Sequence, residues 1–156
     1  MASIVKLYQQ FSNKPFGARL FSRAVCLRAP YFASIHPLIT ALSPECTEVR
    51  IRKRRSVQNH IGTVHAIAIC NMAEVAAGLL AEAAVPPSHR WIPKGMTVEY
   101  LKKAATDLRA VGRPAAALNM NEPSDFPIEV YAYDTAGEAV FRAVITMWVT
   151  RKKTAS

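Results

Sequence analysis

Residues 61–85 form an almost unbroken apolar stretch, rich in alanine and closed by Pro86-Pro87. Its Ala, Leu, Met and Glu residues favour helix, and a helix that is apolar all round has to be covered on all sides. A stretch of this length could also span a bilayer. It carries His65, Asn71, Glu74 and Glu82, however, and ionisable groups at mid-membrane are expensive. The expectation is therefore a buried core helix with no transmembrane role, which needs a partner large enough to enclose it.

The flanking sequence supplies one. Residues 45–58 alternate and are rich in Val and Ile, reading as a strand. Downstream, residues 96–104 read as a second strand, and 106–119 hold a third, interrupted by Gly112 and Pro114. Residues 127–133 and 138–149 form the clearest pair. They flank Asp134-Thr135-Ala136-Gly137, a hairpin turn with glycine where a positive φ is needed. One long apolar helix with consecutive antiparallel strands makes an α+β fold, a sheet wrapped around the helix. No glycine-rich phosphate loop follows any strand, which argues against a nucleotide-cradling fold. At 156 residues the chain has the size of one domain.

The first 44 residues hold five Lys or Arg and no acid, as a removable organelle leader would. Yet Ile4, Val5, Leu7, Tyr8 and Phe11 recur at helical spacing, as do Phe16, Leu20, Phe21, Ala24 and Val25. Two short helices integral to the domain are expected, followed by a proline-punctuated connection over 29–44. The organisation read from the chain is a helical extension, 1–44, on a main domain, 45–156. Three widely spaced cysteines without a Cys-x-x-Cys point to a reducing compartment, the cytoplasm, and to neither disulfides nor a zinc module. Cys26, Cys46 and Cys70 read as small buried apolar side chains.

Charge narrows the partners. Twenty Lys+Arg against eleven Asp+Glu give a net +9, with a basic run at 50–55 and another at 151–153. Such a chain attracts polyanions, including phosphorylated small molecules such as coenzyme A. No aromatic residue interleaves with the 50–55 run, so it lacks the stacking partners of a single-strand binder. Nucleic acid is not the expected partner.

Polar residues on the apolar helix are the candidates for chemistry. Asn71, Glu74 and Gly78 share one face, and Glu74 has apolar sequence neighbours. A carboxyl group stripped of water holds its proton more tightly, which suits a general base or a poised acid. At the helix start, Asn59-His60-Ile61-Gly62-Thr63-Val64-His65-Ala66 supplies a turn glycine, a possible cap in Thr63 and two imidazoles. Free backbone N–H groups there can stabilise an oxyanion. His60 and His65 lack a third ligand nearby, so no metal or other cofactor is expected. Ala66 and Glu74 are eight residues apart, about 12 Å along a helix at about 1.5 Å per residue. Both can serve one reaction only if they come from different copies, as in a twofold dimer with antiparallel core helices.

The motif Asn59-His60-x-Gly62-Thr63-x-His65 with an acid at position 74 resembles the hotdog-fold acyl-CoA thioesterases of the phenylacetyl-CoA and 4-hydroxybenzoyl-CoA type. The likeness runs over residues 45–150, and the first 44 resemble the N-terminal helical extension of an uncharacterised, mainly bacterial branch. It implies an acyl-CoA or acyl-carrier thioester substrate and a homodimer, with a tetramer as a further assembly. It implies that the Ala66 N–H polarises the thioester carbonyl, that Asn59 orients the acyl group or water, and that His65 positions the helix start or substrate. Glu74, from the second protomer, becomes general base or nucleophile, and Thr97 holds the water. Gly62, Thr63, Asn71, Lys102 and Lys103 become substrate contacts. Lys102, Lys103, Arg52 and Arg54 are alternative contacts for the coenzyme A phosphates. The family's His-Gly-Gly is here His65-Ala66-Ile67, and its commoner Asp is Glu74. The added Cβ at Ala66 motivates an alternative, an acyl-CoA-binding protein without turnover. A third reading, dehydration of a 3-hydroxyacyl thioester, would use His65.

Overall fold

A computed structural model describes residues 4–120 and 123–153. Helices α1 (Ile4–Ser12) and α2 (Gly17–Arg28) lead through a 3-10 turn at Pro30–Ile35 into β1 (Leu38–Leu42) and β2 (Thr47–Ile51). A second 3-10 turn at Arg55–Val57 precedes the long helix α3 (Ala66–Ala84). Then come β3 (His89–Tyr100), β4 (Leu108–Pro114), β5 (Ser124–Tyr133) and β6 (Ala139–Arg151). The strands form one antiparallel sheet in the order β1-β2-β4-β5-β6-β3, and α3 touches all six. This is the expected architecture. Ile69, Met72, Ala73, Ala76 and Leu80 of α3 are buried among inward residues of the strands such as Ile128, Val130, Phe141 and Ile145.

The differences lie where strands lack a pattern of their own. β1 falls inside the stretch read as a connection, because five residues between Pro37 and Pro44 are too few for a convincing alternation. β3 starts at His89 rather than 96; Pro93, Lys94 and Gly95 disguise it, with a bulge between Pro93 and Gly95. The central helix starts at Ala66 rather than 61, because Gly62 sits at φ +76 in a closed loop. At the hairpin, Gly137 takes φ +82 as expected, and the Asp134 N–H donates to the Glu138 carbonyl at 2.9 Å.

The sheet's two edges are treated differently. β1 is sealed by α2: the Ile39 N–H donates to Ser22 Oγ at 2.9 Å, and that hydroxyl donates to the Ala18 carbonyl at 2.7 Å. Phe21 anchors α2 in the core, and Tyr8 of α1 packs edge-on against it at 5.1 Å. The junction of these helices needs a glycine, since a Cβ on Gly17 would sit 1.6 Å from the Phe11 carbonyl oxygen. Gly17→Ala is expected to prise α1 off α2 and lower stability by about 3 kcal/mol, read from the midpoint of urea unfolding; an unchanged midpoint would contradict this packing. At the other edge, β3 is twelve residues long and mostly exposed, including Ile92, Met96 and Tyr100.

α3 is the one described helix long and apolar enough to cross a bilayer, and the sheet covers much of it. Coverage is incomplete. Ile67 is exposed, Cys70, Glu74 and Gly78 are half-buried, and Glu82 is exposed. These residues trace one stripe at helical spacing, so the expectation of enclosure on every side is corrected within the protomer.

Candidate active site

The helix start is built by a self-bonded loop. Asn59 Oδ1 accepts from the N–H groups of Ile61 at 3.2 Å and Thr63 at 3.1 Å, and its Nδ2 donates to Thr63 Oγ1 at 2.8 Å. The Asn59 N–H donates to the Thr63 carbonyl and the Gly62 N–H to the Asn59 carbonyl. The loop is fixed in turn by the His65 N–H on the Val57 carbonyl and the Val64 N–H on the Ala104 carbonyl, both at 2.8 Å. Asn59 therefore shapes the turn with both polar atoms of its side chain.

The N-cap is His65 rather than Thr63: His65 Nδ1 accepts from the Ile67 N–H at 3.1 Å. With Nδ1 as acceptor, the neutral ring carries its proton on Nε2. The first N–H groups of a helix have no intrahelical acceptor, and with Ile67 capped the Ala66 N–H has no acceptor among the described residues at the positive end of α3. His65→Ala is expected to lower stability by about 1 kcal/mol, with His65→Asn recovering most of it. Equal thermal midpoints for all three proteins would remove the cap.

Around this helix start lies a cavity of about 360 Å³, lined in part by Asn59, Thr63, Ala66, Tyr100, Lys102 and Lys103. Five of these six are residues singled out from the sequence. The lysines differ: Lys102 pairs with Glu138 and, at 3.4 Å, with Asp134, whereas Lys103 is exposed and makes no ion pair among the described residues.

Further along the helix, Glu74 stands on the uncovered stripe, and its carboxylate has no hydrogen bond or ion pair among the described residues. β3 runs beside the stripe. Cys70 Sγ and Tyr100 OH share a hydrogen bond at 3.4 Å. That bond and desolvation push the Tyr100 phenol up to about 12, so it stays protonated at neutral pH. Beyond Glu74, a Cβ on Gly78 would lie 3.4 Å from the Trp91 ring, whose Nε1 donates to Glu82 at 2.9 Å. Glu74 thus sits between two points where helix and edge strand meet. All three cysteines are free and half-buried rather than fully buried. The meeting of Tyr100 and Cys70 depends on the register of β3 against α3.

Two expected residues are not brought to this surface. Asn71 is buried, its amide donating to Ser34 Oγ at 3.1 Å while Oδ1 has no partner among the described residues; it faces the 3-10 turn rather than the cavity. Thr97 pairs in register with Val144, one residue from the buried Ala143 that is opposite Val98. Side chains alternate along a strand, so Thr97 lies on the sheet face opposite α3, as does Glu99, which pairs with Arg142. Within the protomer it is remote from the acid. No cluster of three metal-ligating side chains occurs among the described residues.

The strand order, the central helix packed on the sheet and the cavity at its N-terminus define a hotdog fold. A thioesterase from Haemophilus influenzae has this fold at 12% identity and a TM-score of 0.74, over 88% of this chain and 93% of that one. A mutant thioesterase from Pseudomonas aeruginosa has it at 15% identity and a TM-score of 0.74, over 84% and 92%. A genomics target, APC5556, is 45% identical with a TM-score of 0.84, over 97% of this chain and all of its own. The chain belongs to the family described as domain of unknown function DUF4442, whose pattern matches residues 17–149. No curated protein matches it.

Proposed function

We propose that this protein hydrolyses an acyl-CoA, or an acyl-carrier thioester, to the free acid and thiol, in a site completed across a homodimer. The observation that carries the reading is Glu74, a carboxylate without a partner among the described residues, on an uncovered stripe of an otherwise buried helix. A half-buried carboxylate without a hydrogen bond is costly to keep in a fold. The long unpaired β3 edge beside it supports the dimer, because an open edge of this length is a template for pairing with a second copy.

In this mechanism the thioester carbonyl oxygen accepts from the Ala66 N–H of one protomer. Glu74 of the other protomer takes a proton from water as the water oxygen bonds to the carbonyl carbon. The tetrahedral oxyanion is held by the same N–H at the helix's positive end. Its collapse breaks the C–S bond, and the sulfur leaves with the proton from Glu74. His65 and the Asn59–Thr63 loop position the amide. Tyr100, kept protonated, is a further donor at the cavity wall. The free cysteines suit a reducing compartment such as the cytoplasm.

The test is thiol release over acyl-CoAs of graded chain length and aromatic acyl groups. Release from none of them, with stoichiometric binding instead, would favour the non-catalytic reading, which the alanine at position 66 motivates. The dehydratase reading loses ground to the capping bond: a ring whose Nδ1 accepts from Ile67 presents a protonated Nε2, a donor rather than a base.

A further inference from the structure

A second cavity lies away from the helix start. It is a cleft of about 1030 Å³ between α2 and the end of the sheet where β1 begins, β2 ends and the β5–β6 turn closes. Five arginines line it: Arg19 and Arg23 from α2, Arg50 at the end of β2 with Arg52 just beyond it, and Arg109 from β4. Arg19 and Arg23 are one helical turn apart and share a face. Arg50 and Arg109 are directly opposite in register, a like-charge pair that opposes folding unless something offsets it.

Glu48 does so. It accepts from Arg50 Nε at 2.9 Å, Arg109 Nη1 at 3.2 Å and Thr40 Oγ1 at 2.7 Å. Burial pushes its carboxyl up, but these hydrogen bonds outweigh that and hold it below the usual carboxylate range. One acid thus fixes two guanidinium groups and leaves their other N–H groups available. Arg23 and Arg52 have no partner among the described residues. The two lining carboxylates are engaged: Asp107 accepts the Lys53 N–H at 2.7 Å, and Asp134 accepts from Ala136, Glu138 and Lys102. The cleft keeps an excess of positive charge at a size suited to a small-molecule ligand. No Phe, Tyr or Trp lines it, so it is built for charge rather than base stacking.

We propose that this cleft binds the phosphorylated end of a small molecule, with Arg19, Arg23 and Arg52 as the phosphate ligands and Glu48 as the group that orients Arg50 and Arg109. Guanidinium groups match phosphate oxygens in paired, charge-assisted bonds. Lys102 lines the helix-start cavity and pairs with Asp134, which lines the cleft, so one ion pair links the two linings. Resting on the proposed activity, the ligand is the phosphate-bearing end of the CoA thioester whose acyl end enters the smaller cavity.

Calorimetric titration of the full chain with 3′,5′-ADP and with adenosine tests the cleft apart from any catalysis. The bisphosphate should bind, more weakly as salt rises, and adenosine should not. Arg23→Ala with Arg52→Ala should weaken the bisphosphate about tenfold or more at an unchanged thermal midpoint. Equal binding of adenosine, or undiminished binding by the double variant, would overturn the assignment. So would capture of duplex DNA with no response to the bisphosphate. In a separate arm, the double variant should raise KM for an acyl-CoA and leave that for the matching acyl-pantetheine unchanged. Absence of turnover on every thioester would remove the hydrolytic reading while the titration still decides the cleft.

Discussion

Glu74→Gln is expected to lower thiol release from the best acyl-CoA by about 10²- to 10⁴-fold, the usual contribution of a positioned general base. The substitution keeps size and shape while removing the group that accepts the water's proton. Because the Glu74 carboxylate makes no ion pair or hydrogen bond within the described protomer, no partner is stranded, and the thermal midpoint should hold or rise. That combination separates catalysis from structure: a salt-bridging or capping glutamate would lose stability on the same change. A Glu74→Gln protein as active as the parent would remove the mechanism.

Ala66→Pro should be nearly as damaging to activity, by about 10²- to 10³-fold, the effect of deleting one oxyanion donor. Proline at the first helical position is well tolerated, since its missing N–H has no helical partner anyway. His65 already has the extended backbone, φ −63 and ψ 137, that a residue before proline prefers. The fold should therefore survive while the proposed donor is lost. The two variants together test whether the site is shared. Re-associated at equal amounts, Glu74→Gln and Ala66→Pro subunits form hybrid dimers in half the cases, each with one intact site. Activity should recover to about a quarter of the parent's if each site draws on both protomers. No recovery, with hybrids verified by mass, would place both groups' roles elsewhere.

Much of the candidate site was legible because it lies within a short segment. Asn59, Gly62, Thr63, His65 and Ala66 are close in sequence, and a turn followed by a helix start is a local event. Their division of labour was not legible. Whether Asn59 faces substrate or its own loop depends on hydrogen bonds to Ile61 and Thr63, and Thr63 was displaced as cap by His65. The placement of Thr97 depends on strand register, where a one-residue difference reverses the face a side chain takes, and that of Asn71 on the packing of the 3-10 turn against α3.

The sequence by itself determined the central helix, the Asp134–Gly137 hairpin and the α+β class, since propensity, periodicity and turn chemistry act over a few residues. Only the tertiary structure decided that α2 seals β1, that β3 is left open, that an unpartnered acid stands on an uncovered stripe, and that arginines from α2, the β2 end and β4 meet in one cleft. Each of these arises from segments distant in the chain, where pairing and packing, rather than local preference, set which groups meet and which remain free.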